Sequence, residues 1–411
     1  MSPNTLNISE VPRLGWLIDG NPDTAKIAVM LRNSGKAIEL TIPLQGMFEP
    51  SDPYGRWFAF NTHFGDDPER TKYSYSPPRV LLFEDNLGTV VLMGCRASGA
   101  NLGMNTGQGK IISNFAVLGG RHLDYEKVNG LRTESPGLTA WANLGHMLVN
   151  FVETSTDKAR SISISLPENQ EISLTSDISL KILSDWSMQR THEHFEAKDH
   201  LVLETMLSEP TDWHKHLALH QKILDLASIS AWQPFGYSRI EIQRMDDPER
   251  NLTGAKVADR WLQVETHRLP LHSSWPGQPR FLFSYGDVKA DGIDRWLTLS
   301  DEYSRPIDSL RYMLRSPEQW SRSNIIESGI ALEALGYLID LKKHRRGIPR
   351  KDKLSFNSAL KAILQDLEIN PLEDEEGWIK RANQVFMGAK HADRPQQDAL
   401  IELNTYRENL L

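Results

Sequence analysis

The chain has 411 residues, 39% hydrophobic, 8% aromatic and 24% charged, with a formal net charge of −8 at pH 7. That length exceeds one ordinary core and calls for two or three folding units, in a composition without bulk disorder. The acidic balance argues against a protein coated in nucleic acid but leaves room for a local basic patch. No apolar run is long enough to span a membrane, and Met1 to Glu10 lacks the features of a signal peptide, so a cytoplasmic chain with no membrane partner is expected.

The first two hundred residues read as strands and turns. Ile27 to Leu31 and Ile38 to Ile42 flank Asn33-Ser34-Gly35, and Val80 to Phe83 and Thr89 to Met93 flank Asp85 to Gly88, which predicts two hairpins. Cys95 is the single cysteine, so no internal disulfide or thiolate cluster can form. It follows the apolar run Val90 to Met93 and reads as a packed strand residue rather than a nucleophile. Gly103 to Lys110 resembles a phosphate loop only faintly. Its glycine spacing is one residue too long and Ile111 stands where Ser or Thr would hold magnesium, so a glycine-rich turn is expected.

Alternation at period two continues through Ile162, Ile164 and Leu166 and from Ile172 to Ile182, and a sandwich of antiparallel sheets would bury such strands. Six of the thirteen histidines lie between His192 and His220. His216 and His220 are one helical turn apart, a spacing that can bind zinc, yet Leu217 replaces the glutamate of a metalloprotease helix; surface histidines and no metal are expected.

After Pro210 the pattern changes. Asp212 can cap a helix reaching about Ser228, and strands resume at Ile240 and at Trp261 to Val264. From about Asp294 the pattern is helical. One helix near 318 to 343 has Ile326, Ile330, Ala334, Tyr337 and Leu341 on a stripe, which would also bury Glu333 and oblige it to find a partner. The next carries Phe356, Leu360, Ile363 and Leu367, and a last one is expected over 396 to 411. The fold class is therefore α+β and multidomain: a β-rich, sandwich-like part (1–210), an α+β middle part completing it (211–293) and an all-α bundle (294–411).

Two charged features stand out in the helical part. Seven basic residues, Lys342, Lys343, Arg345, Arg346, Arg350, Lys351 and Lys353, fall in twelve positions and could track a nucleic-acid backbone or form a solvated loop. A helix with Ile379, Ala382, Phe386 and Ala389 on one stripe then leads into Lys390, His391, Ala392, Asp393 and Arg394. His391 lies about 200° around from Ala389, away from the core, where an imidazole can exchange a proton near neutral pH.

The β-rich front, the segment Ala331-Leu332-Glu333-Ala334-Leu335, the basic connector and the Lys-His-Ala-Asp-Arg helix end, in that order and spacing, resemble the ApeA family of bacterial anti-phage proteins. The tail is similar to a HEPN domain. The resemblance implies a dimeric, metal-independent endoribonuclease without a cofactor, acting on RNA, with tRNA favoured, and triggered by a phage component through its N-terminal region. It implies that His391 is the acid or base, that Lys390 and Arg394 hold phosphate oxygens, and that Arg381 and Glu333 assist.

The sequence departs from the HEPN motif at the arginine expected five to seven residues before the histidine, where Gln384, Val385 and Phe386 stand. Two other readings therefore stay open. One is a HEPN bundle that binds RNA or a partner without cutting; the other is a ligand-binding sandwich with a dimerising helical tail.

Overall fold

Side chains that close their own turns set the first hairpins. Asn33 accepts the Gly35 N–H at 3.0 Å, and Gly35 takes a φ of 78°. Asp85 accepts the N–H groups of Leu87 and Gly88 while gripping Arg13 at 2.7 Å, and Gly88 has φ 127°. Such Asx turns and left-handed glycines let the chain reverse tightly. They join β2 (Ile27–Asn33) to β3 (Ile38–Leu44), and β4 (Val80–Asp85) to β5 (Gly88–Met93), with β1 (Arg13–Ile18) lying between β2 and β4. Both predicted hairpins are present.

The computed structural model describes residues 4–22, 24, 26–45, 52, 54–144, 147–153, 160–165, 171–174, 179–267, 269, 279–316, 321–344, 354–391 and 393–394. The N-terminal part continues with β6 (Arg96–Leu102), β7 (Gly107–Ser113), β8 (Phe115–Leu118) and β9 (Lys127–Glu134), then α1 (Pro136–Ala142). Next come β10 (Leu148–Glu153), β11 (Arg160–Ser165), β12 (Glu171–Leu174), β13 (Ser179–Arg190), β14 (Phe195–Asp212) and α2 (Trp213–Ala231). Strands β15 (Arg239–Gln243), β16 (Glu249–Arg250), β17 (Lys256–Ala258) and β18 (Trp261–Thr266) follow.

Fourteen of these strands form one sheet, in the order β12-β13-β14-β9-β15-β18-β8-β5-β4-β1-β2-β3-β7-β6, and every pairing in it is antiparallel. Strands β10 and β11 form a separate two-stranded sheet, as do β16 and β17. In the β1 to β8 portion of the large sheet, Leu17, Leu31, Leu40, Phe83, Leu92 and Ile111 from different strands share one buried cluster with Trp57 and Phe58. The Gly103 region is a turn between β6 and β7, closed by Gly103 N–H donating to the Thr106 carbonyl at 2.8 Å. Cys95 is buried in the same cluster, and burial pushes its thiol up to about 12.

Contacts divide the chain into two compact units, Met1–His220 with Gly236–Gln278, and Gln221–Phe235 with Pro279–Leu411. The division passes through α2, which Asp212 caps by accepting the His214 N–H at 2.9 Å. The second unit contains α3 (Tyr285–Glu302), α4 (Ser304–Arg315), α5 (Arg322–His344), α6 (Phe356–Asp366) and α7 (Glu375–Lys390). Within it Trp296 donates its indole N–H to the Lys222 carbonyl at 2.7 Å, and Arg311 meets the buried Asp225 at 2.5 Å.

The stripe of α5 differs from the expected one. Its most buried positions include Ile325, Gly329, Gly336 and Ile339, with Leu332 packed on the cluster of α6 and α7; Ile326, Ile330, Ala334 and Leu341 are half-buried and Tyr337 is exposed. The glycines explain the rotation. A Cβ on Gly329 would overlap the Phe386 ring and one on Gly336 would overlap the Ala359 backbone, so the row without side chains is where the neighbouring helices come closest. Glu333 is accordingly half-buried and forms no ion pair among the described residues, which corrects the expectation that it must be paired. In α6, Phe356, Leu360 and Leu364 are buried, while Leu367 lies at the exposed C-cap. The helix expected over 396 to 411 lies outside the described residues.

Candidate functional site

Helix α7 begins at Asp374, whose carboxylate accepts the Gly377 N–H at 2.9 Å, and Glu375 and Glu376 follow in its first turn. Lys390 occupies its last turn, so both ends suit the helix dipole. Trp378, Ile379, Ala382, Val385 and Phe386 are buried. Phe386 lies 4.6 Å from the Phe356 ring, centroid to centroid, and beneath Gly329 of α5. Two neighbouring helices therefore fix the last turn of α7.

That turn ends at His391, the C-cap, with an extended backbone of φ −118° and ψ 121°. The His391 N–H donates to the Met387 carbonyl at 3.0 Å, and the Arg394 N–H donates to the His391 carbonyl at 3.3 Å. The backbone is held on both sides while the imidazole, Lys390, Asp393 and Arg394 are exposed. The Lys390 ammonium is 5.0 Å from the Phe386 ring centroid. Because α7 stops at Lys390, Arg394 reaches the neighbourhood of His391 through a turn and not along a continued helical face.

The segment thus offers an exposed imidazole between two cations and a carboxylate. Such a set can hold an anionic oxygen with charge-assisted hydrogen bonds while the histidine gives or takes a proton. It is assembled by chain proximity alone. Arg381 is not part of it: it points back toward the start of α7 and meets Asp374 at 3.6 Å, as helical side chains lean toward the N-terminus. Among the described residues no hydrogen bond or ion pair joins Glu333 to the 390–394 segment.

Of the basic run, Lys342 is paired with Glu302 and lies 4.5 Å from the Tyr303 ring centroid. The side chain of Lys343 and all of Arg345, Arg346, Arg350 and Lys351 lie outside the described residues. The positions where a HEPN arginine would stand are explained by packing: Val385 and Phe386 face the core and only Gln384 is exposed.

The histidine cluster divides. His192, His194 and His214 are exposed as expected, whereas His216 and His220 are fully buried, a correction to their reading as surface residues. His220 bonds Thr133 at 2.8 Å and Thr205 at 3.0 Å, and His216 bonds the same Thr205 hydroxyl at 2.9 Å. Burial depresses both imidazoles, His220 to about 3, so the pair is a neutral polar knot between strands and helix. The helical spacing was visible in the sequence; the threonines on β9 and β14 that occupy the ring nitrogens were not.

Comparison with known protein families decides what the sheet is. The model of the ApeA N-terminal domain 1 matches residues 13–296, more than half of the chain. The chain belongs to the ApeA N-terminal domain 1 family. The match runs from β1 into α3, so the ApeA portion takes in the whole fourteen-stranded sheet and leaves α4 to α7 beyond it. Membership places the protein in an anti-phage defence family. No curated protein and no solved structure matches the chain. Among the described residues, no helix is long and apolar enough to cross a membrane.

Proposed function

We propose that this ApeA-family chain is an abortive-infection effector whose C-terminal helices form a HEPN-type, metal-independent endoribonuclease acting on tRNA or other cellular RNA. The single observation that carries the reading is the helix-end segment of α7, where His391 is exposed between Lys390 and Arg394 on a rigidly packed helix. In this account His391 moves the proton of the ribose 2′-hydroxyl or of the leaving 5′-oxygen. Lys390 and Arg394 neutralise charge on the phosphate as the 2′-oxygen attacks it. Two copies of the segment would supply the second proton carrier, and a phage component acting through the ApeA portion would release the activity.

The test is cleavage of total RNA by the purified chain in EDTA, alone and in phage-infected extract, with analysis of product ends. The account expects 2′,3′-cyclic phosphate and 5′-hydroxyl ends in at least one condition. Ends of the opposite type would refute it.

A second reading, a bundle that binds RNA or a partner without cutting, is favoured by one observation. Val385 and Phe386 are core residues and Arg381 is engaged with Asp374, so no arginine of α7 accompanies His391 from the N-terminal side. RNA retained on the protein with intact ends in every condition would establish that reading instead.

A further inference from the structure

The outer face of the large sheet, on the side away from its core, holds a cleft of about 340 Å³ at β7. Its described lining includes Thr41 on β3, Gln108 and Lys110 on β7, and Ser98, Gly99 and Asn101 on β6. That volume lies at the small end of ligand clefts, which run from about 300 to about 1,000 Å³. Two local features of the backbone shape it. A bulge between Ala97 and Gly99 leaves Ser98 as an extra residue of β6, and such a bulge bends the strand and re-aims its side chains. Gly109 forms part of the floor, where a Cβ would overlap the Phe58 ring, so the core cluster presses on the floor from the opposite face. Gly99 has open space where a Cβ would stand.

The chemistry of the cleft is mostly uncharged. Thr41, Ser98, Asn101 and Gln108 each carry both donors and acceptors, and among the described residues none of these four side chains spends them on a hydrogen bond. The charge in the described lining is the Lys110 ammonium, which lies 3.2 Å from the Glu39 carboxylate. A phosphate-bearing ligand calls for converging cations, and an apolar one for a mostly hydrophobic lining. Neither requirement is met by two hydroxyls, two amides and one cation that already has a carboxylate beside it.

The same face continues from the cleft into an apolar strip. Strand register sets Gly99, Lys110, Thr41, Met30 and Leu14 in one row across β6, β7, β3, β2 and β1. Trp16 lies two residues beyond Leu14 on β1 and so shares that face. Leu14 is 69% exposed, Trp16 50% and Met30 41%, a run of large apolar side chains turned to solvent. From β7 to β1 is three strand spacings, about 14 Å. A ligand that fits both parts is uncharged, offers groups that donate and accept at once, and presents flat, weakly apolar faces to a tryptophan ring. Saccharides combine these properties in every unit, with hydroxyls around the ring edge and C–H groups on its faces. We infer that this face of the ApeA portion binds an uncharged oligosaccharide, with one sugar seated in the cleft and the following units crossing Met30 toward Trp16. The inference does not rest on the nuclease reading.

The test uses the full chain on an array of uncharged glycans (glucan, mannan, galactan and chitin oligomers), with heparin and single-stranded DNA as polyanion controls. Titration calorimetry then follows with the best-bound tetrasaccharide and its disaccharide. The wild type should bind at least one uncharged oligosaccharide in preference to both polyanions. Gly99→Leu, whose Cβ meets no atom within 4 Å, should fill the cleft and abolish binding. Gln108→Leu should weaken it by at least about tenfold. Trp16→Ala should weaken the tetrasaccharide by about tenfold and leave the disaccharide unchanged. Gln108 and Trp16 are exposed and Gly99 has room, so urea midpoints should stay near that of the wild type and show that the variants fold. An array without a bound uncharged glycan, retention of heparin or DNA alone, or a bound glycan whose affinity is unchanged in Gly99→Leu would each overturn the proposal.

Discussion

Lowering the pH should unfold this protein partly through one residue, His220. The imidazole is fully buried, and burial, with His216 beside it, takes it from 6.5 to about 3. A histidine whose folded value is depressed binds its proton more readily in the unfolded chain. Its stabilising contribution is therefore complete above 6.5 and is lost progressively as the pH falls toward 3. Between about pH 7.5 and about pH 5 the loss from this group is about 2 kcal/mol. His216 acts in the same direction. Glu134, Glu265 and Asp225, whose carboxyls burial holds above their ordinary values, act in the opposite direction. The measurement is therefore a difference: urea unfolding of wild type and His220→Gln, followed by tryptophan fluorescence at both pH values. Gln keeps a donor and an acceptor for Thr133 and Thr205 and does not titrate, so the variant should lose about 2 kcal/mol less than wild type on acidification. Equal losses in the two proteins would refute the assignment of His220 as a buried neutral group.

Three further outcomes follow from the packing. Arg311→Ala strands the buried Asp225 carboxylate and should cost about 3 kcal/mol in urea unfolding at neutral pH, less as the pH falls and Asp225 protonates; an unchanged midpoint would contradict the pairing. Gly336→Ala, which in an open helix would stabilise by up to about 1 kcal/mol, should instead destabilise by about 1–3 kcal/mol because its Cβ meets the Ala359 backbone, as a thermal melt will show. Cys95, buried with its thiol pushed up to about 12, should resist a thiol reagent at neutral pH until denaturant is added; stoichiometric native labelling would place it elsewhere.

What could be read from the sequence was local. The Asn33 and Asp85 turns announce their hairpins because the residues that close them are neighbours in the chain. The stripe of α7 was legible because Ile379, Ala382 and Phe386 are apolar and spaced by three and four residues. The stripe of α5 was not, because its contact row uses Gly329 and Gly336, which carry no hydrophobic signal and matter by what they omit. The burial of His216 and His220 depends on Thr133 and Thr205, brought close only by strand pairing. At the candidate site, His391 and its cations were visible as a sequence cluster, and the structure adds that α7 ends at Lys390 and that Arg381 faces the other way.

The central claim rests on His391, and one comparison tests it most directly. Wild type and His391→Ala are assayed side by side for RNA cleavage in EDTA, in the condition that activates the wild type, with urea midpoints measured in parallel. His391 is exposed and contributes only its backbone to the helix end, so the substitution should leave stability within about 0.5 kcal/mol while abolishing cleavage. Full cleavage by a normally folded His391→Ala protein would contradict the account.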